Sequence, residues 1–351
     1  MSHTYEEKLA YIGDLDQLLT LRESVLSGGF QDGVRVMEVH NGGNLSATVL
    51  PGRCMDLLQV HYKGKNLNYL APCGVVAPEY YDAQGNRWLR SFFVGMLTTC
   101  GLQHFGSPLV KDGEELGLHG RMANTPAEQV KFTRGVRGED PTLALEGTMR
   151  EARIFGENLT LHRRLQFVCG EDSILLTDTI TNHGFGPRQF VYALHLNYGY
   201  PLLEEGTRLI LDAEETVPRE ENAARHADTW QQVEAPSYPY PERCYFHKLR
   251  RDAHGMTGYT LFNEKRKLGV EVSYPGEDLP FFCQWKMLGK GEYVMGLEPM
   301  NVFLDGPKVG QAGCAAPILA PGESKTYEVR LNFIDHIERH SAGEENSNEA
   351  F

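Results

Sequence analysis

The sequence predicts a mainly β protein folded as a large antiparallel β sandwich. Three observations carry that expectation. Apolar and polar residues alternate with a period of two in one segment after another. Glycine and proline are plentiful, 37 and 18 of 351 residues, and they fall between those segments as turn signals. One early stretch, residues 5–26, is the best candidate for a helix.

In that stretch Leu9, Ile12, Leu15, Leu18, Leu19 and Leu21 approximate a helical stripe, which Gly13-Asp14 splits. Residues 1–27 are therefore expected as a helical N-terminal extension. After Gly28-Gly29 the rhythm changes. Val34, Val36 and Val39 alternate with polar partners, Asn41-Gly42-Gly43-Asn44 makes a turn, and Leu45, Ala47 and Val49 resume a period of two. The same alternation runs through Leu159, Leu161, Leu165 and Phe167, and through Tyr327, Val329, Leu331 and Phe333. Residues 214–243, rich in Glu, Ala, Pro and Tyr, read as a long excursion over one edge. Residues 28–337 are expected as one sandwich domain, followed by a polar, disordered tail at 338–351.

Composition excludes several classes of partner. With 47 acidic against 34 basic residues and no basic block, neither nucleic acid nor an anionic membrane is an expected partner. The seven cysteines are odd in number and lack any C-x-x-C, so no disulfide framework or zinc knuckle follows; reduced thiols in a cytoplasmic protein fit better. No apolar leader precedes Asp16, and no run approaches the roughly 18 to 20 apolar residues that span a bilayer. The oligomeric state is open, a homodimer being compatible.

The chemistry-bearing residues begin with Glu298. Tyr293-Val294-Met295-Gly296-Leu297-Glu298-Pro299 is an apolar strand running into a carboxylate, with Pro299 expected to end it. A carboxyl so placed is either a tuned general base or half of a structural ion pair. His195, in Phe190-Val191-Tyr192-Ala193-Leu194-His195, belongs on a buried strand as a proton donor or as a core histidine bonded to a carbonyl. His119 and Arg121 sit in the glycine-flanked segment Gly117-Leu118-His119-Gly120-Arg121 and either reach a polar ligand or decorate a surface loop. Arg53 and Asp56 would face opposite sides of a strand, so a structural ion pair competes with ligand contact for both. Trp285, followed by Lys286, suits stacking on a sugar ring as well as ordinary core packing. Metal binding by His104, His119, His195 and Glu298 lacks any compact ligand spacing. No phosphate-binding loop and no G-x-S-x-G occurs.

Taken in order, Leu50-Pro51-Gly52-Arg53-Cys54-Met55-Asp56, Thr98-Thr99-Cys100-Gly101-Leu102, Leu118-His119-Gly120-Arg121, His195-Leu196-Asn197-Tyr198-Gly199-Tyr200-Pro201, Gln284-Trp285-Lys286 and Gly296-Leu297-Glu298-Pro299-Met300-Asn301 resemble a branch of the aldose 1-epimerase (galactose mutarotase-like) superfamily. Each segment is short; their order and spacing carry the likeness. The resemblance implies a β supersandwich and a cofactor-free enzyme acting on a small sugar. It implies Glu298 as base, His195 as acid, His119 as a second histidine on the sugar, and Arg121 or Arg53 as the ligand-binding arginine. Asp56, Asn197, Trp285 and Lys286 fall in the matching segments as further substrate contacts. Thr181-Asn182-His183 is similar to a motif whose histidine is the acid in galactose mutarotases, but here a turn follows, Gly184-Phe185-Gly186-Pro187, and Ala193-Leu194-His195 is the better match. The family's hydroxyl-binding aspartate has no clear counterpart; His247 or Asp305 could substitute. The implied activity interconverts the α and β anomers of an aldose or related sugar by acid/base ring opening. The alternatives are a carbohydrate-binding or regulatory protein without turnover, and a metal-dependent sugar isomerase or lyase on a related sandwich.

Overall fold

Residues 5–26 carry less helix than their spacing predicts. In the computed structural model, which describes residues 3–111, 113–303 and 315–337, helix α1 spans only Tyr5–Leu9, where Thr4 and Glu7 form a capping box. One helical turn follows at Leu15–Gln17, and Thr20–Val25 is strand β1. β1 pairs along its whole length with β2 (Arg35–His40), from Thr20 opposite His40 to Val25 opposite Arg35. So short a helix is marginal in isolation, whereas the strand completes a ladder. β3 (Leu45–Leu50), β4 (Asp56–Tyr62) and β5 (Lys65–Asn66) extend this five-stranded sheet.

β6 (Leu97–Leu102) and a short ribbon, β7 (Leu109–Lys111) with β8 (Glu114–Leu116), come next. Four long strands then meander: β9 (Ala127–Arg137), β10 (Asp140–Ala152), β11 (Asn158–Val168) and β12 (Ser173–Asn182). After them come β13 (Arg188–Gln189), β14 (Val191–Tyr198), β15 (Arg208–Leu211) and β16 (Ala213–Pro218). The predicted excursion starts in β16 and holds one short helix, α2 (Glu221–Ala224). The remaining strands are β17 (Arg243–Leu249), β18 (Met256–Asn263), β19 (Leu268–Pro275), β20 (Phe281–Gly289), β21 (Glu292–Met300), β22 (Ile318–Leu319) and β23 (Ser324–Ile334). The tail at 338–351 lies outside the described residues.

β13 and β22 pair only with each other, and the longer strands form an eight-stranded sheet in the order β15-β18-β19-β23-β12-β11-β10-β9 and a six-stranded sheet in the order β16-β17-β20-β21-β14-β6. All their named pairings are antiparallel, as the period-two alternation predicts. Alternation also assigns the two faces of the six-stranded sheet. Leu194, Leu196, Phe282, Met295 and Leu297 point into the main apolar core, together with Leu161, Leu176, Val329 and Leu331 of the eight-stranded sheet. His195, Cys283, Trp285 and Glu298 occupy the other face.

One buried cation joins the three sheets. Arg163 on β11 has no exposed side-chain surface and donates to Asp178 of β12 at 2.9 and 2.6 Å. It also donates to Asp56 of β4 at 2.6 Å and to the Thr99 hydroxyl of β6 at 2.8 Å. Tyr192 of β14 donates its hydroxyl to Asp178 at 2.6 Å. Asp56 is thus spent on the sheet junction, where it also accepts from the Thr99 amide at 2.9 Å. Arg53 has a different role from the ion pair weighed above. Its guanidinium is buried and donates to the carbonyls of Ala123, Val76 and Ser91 at 2.7, 2.6 and 3.0 Å. The segment between them is a turn, not a strand, with left-handed backbone at Cys54 and Met55 (φ 57° and 55°). Removing one member of a buried ion network leaves the rest uncompensated. Arg163→Met is accordingly expected to cost about 3–5 kcal/mol, read as a lowered urea midpoint; a loss below about 1 kcal/mol would mean the network is not the junction's main tie.

Candidate active site

Strand register alone brings His195 and Glu298 together. β14 and β21 pair Ala193 with Met300, Leu196 with Leu297 and Asn197 with Gly296. That constant offset sets His195 opposite Glu298 on the same face, within the reach of directly opposed side chains. His195 Nε2 lies 3.2 Å from Glu298 Oε1, and both residues are almost fully buried. β21 continues past Glu298 through Pro299 to Met300, because Phe282 and Phe281 of β20 still pair with those residues and a proline removes only its own N–H from the ladder.

Gly296 makes the space for this meeting. A Cβ there would stand 2.9 Å from His195 Cε1, 3.1 Å from Glu298 Oε1 and 3.1 Å from Trp285 Cε3. The third imidazole-bearing element is a loop. His119 takes a left-handed backbone (φ 56°), its amide donates to Gly106 O at 2.9 Å, and its ring centroid lies 5.7 Å from that of His195 at an interplanar angle of 87°. Gly117 and Gly120 are needed beside it, since a Cβ on Gly117 would sit 2.0 Å from Ala83 O and one on Gly120 2.4 Å from His104 O.

Around this group opens a cleft of about 740 Å³. Trp88 stacks on Phe92 at 4.1 Å to form one wall, and Phe92 and Trp285 meet the His195 ring edge-on at 5.7 and 5.6 Å. Burial pushes the Glu298 carboxyl up to about 8; nearby Arg219 opposes the rise and Glu242 adds to it. Burial pulls His195 down to about 4, against a contact with Asn197 that favours the imidazolium. His119 is driven well below its ordinary value, by burial first and then by His195. With burial raising the carboxyl and lowering the imidazole, the 3.2 Å contact favours a carboxylic acid beside a neutral imidazole, with one titratable proton between the two groups, over an ion pair. Glu298 Oε2, His195 Nδ1, His119 Nδ1 and Trp88 Nε1, all on residues that line the cleft, are buried without a hydrogen-bond partner among the described residues.

Of the residues singled out in the sequence, the cleft gathers Glu298, His195, His119 and Trp285. Asn197 sits beside them, its amide donating to His195 O at 2.8 Å and Val94 O at 3.3 Å, where it holds β14 and not the cleft wall. The others lie elsewhere. Arg121 pairs with Glu114 at 3.3 Å on a half-exposed loop. Lys286 points to the opposite face from Trp285, as adjacent strand residues must, and is bound to Gln232 O at 2.7 Å and Glu234 at 3.0 Å. His247 is buried on that same far face, between Thr216 (2.9 Å) and Gln284 (3.3 Å). Arg53 and Asp56 serve the junctions described above. Asp305 lies outside the described residues. His183 is exposed and bound to Thr160 at 2.8 Å, away from the cleft. Sequence reasoning missed Arg219 and Glu242, which enter from the excursion after β16. Glu242 accepts from Arg219 at 3.2 Å and from Trp285 Nε1 at 2.9 Å, fixing the tryptophan wall. The concentration of Glu and Arg at 214–225 was the available signal for Arg219; no such cluster marks Glu242.

Fold and cleft together define a β supersandwich of the aldose 1-epimerase, galactose mutarotase-like class. A candidate aldose 1-epimerase from Klebsiella pneumoniae subsp. pneumoniae is similar over 90% of this chain and 83% of its own, with a TM-score of 0.85 and 26% identity. A galactose mutarotase-like protein from Clostridium acetobutylicum (90% and 99% covered, TM-score 0.65, 11% identity) and a galactose 1-epimerase from Lactobacillus acidophilus NCFM (90% and 98%, 0.56, 14%) share the fold. Residues 31–333 match the family described as a domain of unknown function, DUF4432, and the chain belongs to that family. No curated protein matches it.

Burying Glu298 has a measurable consequence. Below its ordinary value of 4.5 the carboxyl is protonated in folded and unfolded chains alike. Between 4.5 and about 8 the unfolded chain ionises it and the folded chain does not, so its contribution to stability falls as pH rises. At about 1.4 kcal/mol per pKa unit, the penalty at pH 7 is on the order of 3 kcal/mol. Glu298→Gln is expected to gain stability over the parent as pH is raised from 5 to 7 in urea unfolding; an unchanged difference would mean the carboxylate is solvated.

Proposed function

We propose that this protein is an aldose 1-epimerase-like isomerase that interconverts the anomers of a sugar by acid/base ring opening. The observation that carries the reading is the 3.2 Å approach of Glu298 to His195 on the floor of an aromatic cleft, with opposed pKa displacements. The anomeric hydroxyl and the ring oxygen of an aldose are bonded to the same carbon. One base and one acid that serve both atoms must therefore be near neighbours, and a separation of a full ring width is not required.

In the free cleft the shared proton rests on Glu298. Its passage to His195 creates a carboxylate base and an imidazolium acid without exchange with solvent, and the Arg219 charge favours the carboxylate form. Glu298 then removes the proton of the anomeric hydroxyl while His195 protonates the ring oxygen. The ring C–O bond breaks, the aldehyde turns about its C1–C2 bond, and reclosure with the proton steps reversed delivers the other anomer. His119 stands beside the pair to hold a sugar hydroxyl.

Magnetisation exchange between α and β anomers, over a panel of aldoses, tests this reading. Acceleration by the parent protein is expected, with Glu298→Gln and His195→Asn each slowing it about 10²- to 10⁴-fold at retained fold. Full activity in Glu298→Gln removes the base assignment, and no acceleration on any sugar leaves the cleft a binding site. The pH profile is a second check. A pair that works with one shared proton loses its base below about 4, where His195 also becomes protonated, and its acid above about 8, where Glu298 ionises. A bell with apparent limbs near those values is expected; a single limb near 6.5, the ordinary histidine value, would contradict the coupled pair.

A further inference from the structure

The cleft is longer than one sugar ring needs. On β21 its lining runs from Glu298 through Val294 to Glu292, and on β20 from Cys283 through Trp285 to Met287. At about 3.3 Å per strand residue, the distance from Glu298 to Glu292 is roughly 20 Å, several times the width of a pyranose ring. The volume of about 740 Å³ falls in the range that takes a drug-sized ligand. The acid/base pair occupies only one end of this length.

A second hollow lies against Tyr69 of the cleft. A pocket of about 280 Å³ is lined by Gln59, Asn66, Asn68, Tyr69, Tyr200 and Tyr293, among others. Tyr69 lines both cavities, so the two share a wall, and its hydroxyl is fixed to Gly291 O at 2.8 Å. Asn68 spends its amide on the Val60, Leu58 and Tyr69 backbone and Asn66 its NH2 on Asn68 O and Tyr200 O, which leaves Gln59 and Asn66 Oδ1 to meet hydroxyls beside the tyrosine rings; with no charged residue among the described lining, this surface suits a neutral polyhydroxylated ring. The charges of the main cleft point the same way. Among the described lining residues Arg219 is the cation, and it is bound by Glu220 and Glu242 at 3.2 Å each, while Glu292 adds a further carboxylate. A phosphate or carboxylate on the sugar would meet more negative than positive charge.

We propose that the substrate class is a neutral saccharide longer than one ring, its reducing end at Glu298 and His195 and its next units lying along β20 and β21 toward Tyr69 and Tyr200. This rests on the anomer-interconverting reading above and deepens it. Contacts made far from the reacting carbon raise kcat/KM through binding energy that a single ring cannot supply.

The test compares anomer exchange for a free aldose, its 6-phosphate, and the 1→4-linked disaccharide and trisaccharide of the same sugar, with the parent and Tyr200→Ala proteins. Tyr200 is largely exposed, so its truncation leaves the core intact. The expected result is a kcat/KM for the disaccharide about tenfold or more above that of the monosaccharide, no preference for the phosphate, and a disaccharide-to-monosaccharide ratio that falls about fivefold or more in Tyr200→Ala. Equal values for one and two rings, preference for the phosphate, or an unchanged ratio in the variant each overturn the proposal. Acceleration confined to monosaccharides overturns it while keeping the isomerase reading; no acceleration on any sugar overturns both.

Discussion

The buried guanidinium of Arg163 is the interaction on which the rest of the architecture depends. It sits where three sheets converge and binds a residue from each: Asp178 in the eight-stranded sheet, Thr99 in the six-stranded sheet and Asp56 in the five-stranded one. Apolar packing between sheets is weakly directional, whereas charge-assisted hydrogen bonds at 2.6–2.9 Å fix position and angle. Thr99 is the immediate neighbour of Thr98, which pairs across the ladder with His195. The tie beneath the core is thus one residue removed from the row of side chains that floors the cleft.

That row is a product of register. Thr98, His195, Glu298 and Cys283 lie side by side on four adjacent strands and share one face. A slip of one residue between β14 and β21 would turn either His195 or Glu298 into the apolar core. Burial then does the chemical tuning. It raises the Glu298 carboxyl, lowers the His195 imidazole and so favours a neutral pair, the state that costs least in a low-dielectric site. Glu242 and Arg219, carried in by the irregular segment after β16, add the charges that bias the pair and brace the Trp285 wall.

Much of this was legible in the chain. Strict alternation announced the strands, and the apolar runs around His195 and Glu298 announced that both are buried. The glycines flanking His119 announced a constrained loop. The misreadings have physical causes. Thr20–Val25 is a strand because β2 is available to pair with it, which no local propensity reveals. Arg53 and Asp56 stand in a matching segment, yet their partners are carbonyls and an arginine from distant parts of the chain. Trp285 and Lys286 were both offered to the site, although alternation permits only one of two adjacent strand residues to face it.

By itself the sequence determined the fold class, the acid/base candidates and their burial, because a period of two and the cost of burying a charge act locally. Tertiary structure alone decided which candidates meet. The offset between β14 and β21, the space left by Gly296 and the entry of Arg219 and Glu242 depend on pairings between segments far apart in the chain, and a linear pattern does not encode which strand will lie beside which.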